Sequence, residues 1–316
     1  MAYTDALQSI IMLIGVGWIL VAAFLEVGGL TAANHSIGSI DPTLLTVWGR
    51  GLGYEGQWGM VIGAVLIFSV GYMGWPHVVT RHMAMRHPAT ARQAGAYATV
   101  WNLLFVSAPY LLGVLAIIIL PDLDDPELAI MRLAENLLPA AVTGVVMAAI
   151  IAAIMSTADS LLLQTGSVVS RDIYQRFINP NSSEQQMIWV SRGLVLSIGV
   201  AGYFVALVEP PTVFSIVVFA TSVLGSAFLP AYVCAVWWRK ANTPGAIASM
   251  VTGATIAFLW ESVGLAETSG LHPMLAGVLG STVMMISVSL ATQRVSPVPE
   301  HIVAAMDEAA RLGPVR

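Results

Sequence analysis

Ile150-Ile-Ala-Ala-Ile-Met-Ser-Thr-Ala-Asp-Ser160 lies inside an apolar segment running from about Leu137 to Val169, and its reading decides the fold. Ser156, Asp159 and Ser160 stand at i, i+3 and i+4, so a helix projects all three from one face, with Thr157 beside the stripe. A carboxylate on a membrane-crossing helix costs about 2.5–3.5 kcal/mol on insertion scales. Such a residue therefore faces protein or water and marks an ion or substrate path. Four oxygen-bearing side chains without sulfur or imidazole suit a hard cation. The alternative is a Ser/Thr-lined helix contact with Asp159 near the aqueous interface.

Outward from this stretch the chain keeps the same character. Of 316 residues, 57% are hydrophobic and only 10% charged, with a mean hydropathy of +0.80. That excludes a soluble globular protein and points to a polytopic all-α membrane protein. The net charge of −5 says little about partners, because the charges are confined to loops. The bilayer is the expected environment, and no nucleic-acid partner is expected. A single cysteine, Cys234, rules out a disulfide framework and a Cys-based metal site. No cleavable signal peptide is visible ahead of the first apolar stretch.

Eight stretches are apolar enough to span: Ala6–Val27, Trp58–Val78, Ala98–Leu120, Leu137–Thr157 (continuing helically to about Val169), Ile188–Val208, Thr212–Trp238, Pro244–Gly264 and His272–Thr292. With Met1 inside, the cytoplasmic segments hold Arg81, Arg86, Arg92, Arg171, Arg176, Arg192, Arg239, Lys240, Arg294, Arg311 and Arg316. Only Arg50 and Arg132 fall outside, which places both termini in the cytoplasm of a cytoplasmic-membrane protein. Pro121–Glu135, rich in Asp and Glu, reads as an external loop. Residues 1–293 form the membrane domain, and 294–316 form a Pro-interrupted, weakly helical cytoplasmic tail.

The second span ends Phe68-Ser-Val-Gly-Tyr-Met-Gly-Trp-Pro-His77. Pro76 lacks an N–H and clashes with the preceding turn, while Gly71 and Gly74 loosen the backbone. Backbone freed at membrane depth is tolerated against protein or a wet cavity, and transporters use such broken helices to present carbonyls and amides. Phe68, Tyr72 and Trp75 add aromatic surface beside the break. A simple interfacial kink with belt aromatics is the alternative. The sixth span repeats the pattern, with Thr221, Ser222, Gly225, Ser226 and Pro230 in mid-span. It reads either as cavity-lining or as a small-residue packing face. Ala148, Ala149, Ala152 and Ala153 read as a packing face, with the Ala153 carbonyl still available as a ligand. His77, His82 and His87, interleaved with arginines, read as a solvated basic loop rather than a metal site.

Together, Tyr3-Thr-Asp-Ala-Leu-Gln8, Gly71-Tyr-Met-Gly-Trp-Pro-His77, Arg81, Met83-Ala84, Ala152-Ala-Ile-Met-Ser-Thr157, Ser170-Arg-Asp-Ile-Tyr174 and Trp189-Val-Ser-Arg192 resemble the sodium:solute symporter family. The branch containing sodium/proline symporters is the most similar. The resemblance implies the leucine-transporter-type fold of two inverted repeats, with this chain carrying its C-terminal part from the fifth core helix onward. The expectation is an N-terminally truncated product or a partner encoded as a separate N-terminal half.

The resemblance also implies that Ser156 and Thr157 supply hydroxyl ligands to sodium with the Ala153 carbonyl. Asp5 lies near that site, and Ser160 and Asp159 match a second site found in some members. Asp159 departs from the hydroxyl usual there, so two carboxylates would share a cation or a proton. Tyr72 matches a substrate-associated aromatic, with Phe68, Trp75, Thr221 and Ser222 beside it. Trp75 replaces the Gln usual in proline symporters. Gly71, Gly74 and Pro76 form the broken-helix hinge.

The implied function is sodium-coupled symport of a small organic solute, proline or a related amino acid or carboxylate, by alternating access. Na+ is the coupling ion, and no organic cofactor is expected. A non-transporting membrane sensor or assembly subunit on the same helices is the alternative. An intramembrane enzyme is not expected, because the histidines cluster away from Ser156.

Overall fold

The computed structural model describes residues 2–48, 55–85, 88–208 and 212–312. Arg50, Arg86, His87 and Arg316 lie outside the described residues, as do the side chains of Asp5, His82 and Arg311. In chain order the helices are α1 (Ala2–Val27), α2 (Leu30–Ile40), α3 (Trp58–Ser69), α4 (Pro76–Met83), α5 (Pro88–Phe105), α6 (Ser107–Ile119) and α7 (Ala129–Leu137). They continue as α8 (Ala140–Val168), α9 (Glu184–Ala206), α10 (Val213–Trp237), α11 (Thr243–Ser262), α12 (Leu265–Ser269), α13 (Pro273–Ala291) and α14 (Glu300–Leu312).

Among the described residues, seven helical stretches are long and apolar enough to cross a membrane: α1, α5 with α6, α8 with its continuation, α9, α10, α11 and α13. The eighth expected span, Trp58–Val78, is not one helix. It stops at Ser69, winds through a 3-10 turn at Gly71–Gly74, and restarts at Pro76. Trp75 is extended, at φ −81° and ψ 119°, as the steric demand of a following proline requires. The sequence placed the other ends within a few residues, except that α5 starts ten residues before the expected Ala98. It missed α2 and α7, two short helices in segments read as loops.

The chain divides into two compact units. The first comprises Met1–Leu45 and Gly95–Pro211. Its core joins Val16, Ile19 and Ala23 of α1 to Leu112 and Leu115 of α6, Leu133 and Ala134 of α7, and Val146 of α8. A Cβ on Gly15 would lie 2.6 Å from the Ala149 Cβ, so α1 and α8 touch backbone to small side chain. Ala149 and Ala152 are buried and Ala153 half-buried, as the packing reading expects, whereas Ala148 is exposed and takes no part in it. α8 passes into a π-helix at Val169–Ile178, whose end bonds Asn179 N–H to the Tyr174 carbonyl five residues back. α9 begins at a reciprocal capping box between Ser183 and Gln186.

The second unit comprises Thr46–Ala94 and Thr212–Arg316, built on α10, α11 and α13. Pro230 sits inside α10 and removes the N–H that would bond the Ser226 carbonyl four residues earlier. Gly253 of α11 meets that carbonyl: a Cβ there would lie 2.1 Å from the Ser226 oxygen. Ser226 Oγ donates to the Met274 carbonyl at 3.3 Å, and a Cβ on Gly277 would clash with that hydroxyl. Deeper in the α11–α13 contact, the Ser249 and Ser281 hydroxyls pair at 2.7 Å, both fully buried. Asn242 ties the ends of α11 and α13 together. Its Oδ1 accepts the Gly245 N–H, and its Nδ2 donates to the Ser289 and Ser296 carbonyls and Thr292 Oγ1. The tail forms α14, joined to the end of α10 by the Arg239–Asp307 ion pair.

Candidate functional site

The cation candidates sit in the first unit. On α8, Ser156 Oγ donates to the Ala153 carbonyl at 3.0 Å, and Thr157 Oγ1 donates to the same carbonyl at 3.3 Å. Ser160 Oγ donates to the Ser156 carbonyl at 3.0 Å, continuing the oxygen stripe by one turn. Ser160 is buried, Ser156 half-buried, and Thr157 and Asp159 are exposed. Hydroxyls that bond a carbonyl one turn back are common in helices. Here the local sequence brings two of them onto one carbonyl, and three hard oxygens meet at one point.

Asp5 lies in the first turns of α1. Residues 16–27 of α1 share one core cluster with α7, which leads into α8, and with Val146 near the start of α8, so α1 and α8 run antiparallel. Gly15 faces Ala149. Ten residues back along α1 lies position 5, and ten forward along α8 lies position 159, each about 15 Å away at ~1.5 Å per residue. The two carboxylate positions therefore share one height on the helix pair.

The solute candidates sit in the second unit. Tyr72 and Trp75 stack across the break, ring centroids 5.9 Å apart. Phe68, one turn earlier, stacks on Phe214 at 6.5 Å. The break presses against α10: a Cβ on Gly74 would lie 2.7 Å from the Gly225 Cα, and one on Gly225 would lie 2.8 Å from the Met274 methyl. Gly71 and Gly74 are both buried, so the turn is held by backbone contact. Thr221 and Ser222 are buried one turn before Gly225. Their hydroxyls donate to the Val217 and Val218 carbonyls, each at 2.7 Å. Of the two readings of this span, packing accounts for Gly225 and Ser226.

His77 corrects the reading of a solvated histidine loop. It stands in the first turn of α4, half-buried, its ring edge-on to Trp75 at 5.2 Å. Pro76 at the head of a new helix was the available signal, since proline is favoured in a first turn. Buried Trp75 Nε1 and His77 Nδ1 have no hydrogen-bond partner among the described residues.

The model of the sodium:solute symporter family matches residues 1–253. The chain is 29% identical over 309 residues to the osmoregulated proline transporter OpuE of Bacillus subtilis, covering 96% of this chain and 62% of that protein. It is 30% identical over 237 residues to the sodium/proline symporter of Haemophilus influenzae, covering 72% of this chain and 47% of that one. The chain thus spans 62% or less of the length of these curated relatives, all of them transporters and not enzymes. Its fold matches that of a Na+-coupled sialic acid symporter in a substrate-bound outward-open state, with a TM-score of 0.70 at 18% identity, over 94% of this chain and 62% of that one. The match to four-fifths of the chain, with its helices in the same fold, makes it an integral membrane protein of the sodium:solute symporter family.

Proposed function

We propose that the chain is the part of a sodium-coupled symporter that binds the ion along α8 and a small organic solute beside the α3–α4 break. The observation that carries this reading is the convergence of the Ser156 and Thr157 hydroxyls on the Ala153 carbonyl. Three neutral oxygens of this kind suit a hard monovalent cation. Asp5 and Asp159, level on antiparallel helices, add negative charge, and Ser160 extends the oxygen row. Sodium is cargo here rather than a resident cofactor.

The solute is held by Tyr72 and Trp75, with Phe68, Thr221 and Ser222 contributing from neighbouring turns. Gly71, Gly74 and Pro76 supply the hinge. Proline is the first candidate, supported by the names of the relatives. Helix ends exposed by a break favour a carboxylate over a sugar. Binding of labelled proline to the purified chain, with and without sodium, tests this. Sodium should strengthen binding, and unlabelled proline should compete. No saturable binding of labelled proline, with a labelled hexose bound in its place, overturns the assignment.

Both termini are cytoplasmic in this reading, supported by eleven of the thirteen Lys and Arg residues falling on one side. Cysteines introduced at Asp124 and Arg92 report the topology. A membrane-impermeant reagent should reach only the former, and the reverse pattern inverts the layout.

A further inference from the structure

A cavity of about 420 Å³ opens in the first unit between the end of α8 and the start of α9. It is lined by Ser167, Ser170, Arg171, Glu184, Ser191 and Arg192, with Leu163 and Ile188 on its apolar side. Its size lies within the range of small-molecule sites, about 300–1,000 Å³. The floor is a close helix contact: a Cβ on Gly166 would lie 2.5 Å from Ser191 Oγ. Beyond it α8 becomes the π-helix, whose wider turn carries Ser170 and Arg171 to the rim. Arg192 is steered by Trp189, its guanidinium 5.2 Å from the ring centroid. Among the described residues neither Arg171 nor Arg192 has a carboxylate partner.

The surroundings say what would fill it. α9 has no fully buried residue, and Ile188, Trp189 and Leu196 stand exposed along a stretch apolar enough to span. A stretch this apolar lies at the depth of the acyl chains, and an exposed Trp beside arginines marks the headgroup level at its end. The cavity therefore sits where a lipid headgroup sits. Two arginines and one glutamate give its lining a net charge of +1, the complement of a singly charged anionic lipid.

We propose that this cavity binds the phosphoglycerol headgroup of an anionic phospholipid. Arg171 and Arg192 hold the phosphodiester, as paired guanidiniums do. The Ser191 hydroxyl adds a donor, while Ser167 and Ser170, whose hydroxyls donate to the Leu163 and Ser167 carbonyls, accept from the glycerol hydroxyls together with Glu184. Each arginine near a charged lipid surface contributes about a fivefold preference, so the pair gives roughly 25-fold.

Native mass spectrometry of the purified chain in neutral detergent tests this. Phosphatidylglycerol, phosphatidylcholine with the same acyl chains, and inorganic phosphate would each be titrated. Phosphatidylglycerol should be retained at concentrations at least tenfold below phosphatidylcholine. Arg171→Gln with Arg192→Gln should abolish that preference, while Arg171→Lys with Arg192→Lys, which keeps the charge, should preserve most of it. The lysine pair keeps the test decisive if the glutamine pair fails to fold. Equal retention of the two lipids, or an unchanged preference in the glutamine variant, overturns the proposal. Displacement of phosphatidylglycerol by millimolar inorganic phosphate also overturns it, by showing a free-phosphate site. None of these readouts depends on sodium or on solute.

Discussion

The Ser156 hydroxyl donates to the Ala153 carbonyl across 3.0 Å, and the Thr157 hydroxyl donates to the same oxygen at 3.3 Å. A cation entering there would accept lone pairs from all three oxygens and turn the hydroxyl protons outward.

Removing one hydroxyl leaves such an ion short of a ligand, a loss of ~1–3 kcal/mol. Ser156→Ala and Thr157→Ala should each raise the sodium concentration for half-maximal thermal stabilisation of the purified chain by about 5- to 150-fold. Thr165→Ala, which removes an exposed hydroxyl bonded to the Leu161 carbonyl two turns on, should change nothing. Identical sodium responses in all three variants reduce Ser156 and Thr157 to packing residues.

Asp159 stands outside the three oxygens that converge at Ala153, and a charge pair about 4 Å apart is worth only ~1 kcal/mol where an ion path admits water. Asp159→Ser should therefore weaken the sodium response by no more than about fivefold. A complete loss of the response would make Asp159 a direct ligand and shift the site by a turn.

Gly253 and Gly280 separate rigid from yielding neighbours. A methyl on Gly253 meets the Ser226 backbone carbonyl at 2.1 Å, whereas one on Gly280 meets the terminal methyl of Ile256 at 2.3 Å. Gly253→Ala must push α10 and α11 apart, at a cost of ~1–3 kcal/mol or more. Gly280→Ala needs only a new Ile256 rotamer. Thermal unfolding in detergent should show a marked drop for the first and little change for the second. Equal drops would mean that Ile256 is as locked as the backbone.

Asn242 makes one acceptor bond and several donor bonds with its side chain. Asn242→Asp keeps the cap on Gly245 but turns an oxygen toward two carbonyls. It should destabilise at least as much as Asn242→Ala, whose loss of buried partners costs ~1–3 kcal/mol. An Asp variant as stable as the parent in the same unfolding assay would show that the donor bonds carry no weight.

Much of this was legible in the sequence by itself. Membrane spans follow from length and hydropathy alone, because a bilayer offers no partner for unpaired backbone groups. The break at Gly71–Pro76 follows from local chemistry, since proline withholds an N–H and restricts Trp75 wherever it stands. Spacing on one helix likewise determined that Ser156, Thr157, Asp159 and Ser160 lie together, with no other element required.

What only the tertiary structure decided were the relations between helices. The approach of Gly15 to Ala149 levels positions 5 and 159, and that of Gly74 to Gly225 seats the break on α10. Small residues permit a close contact without naming its partner, so pattern alone cannot pair them. His77 was misread for the same reason: its place against Trp75 depends on where α4 restarts. Thr221 and Ser222 carry hydroxyls that suit a cavity or a core equally. Their hydroxyl bonds to the Val217 and Val218 carbonyls are local to α10, and only the packing of the second unit decided that both side chains are buried.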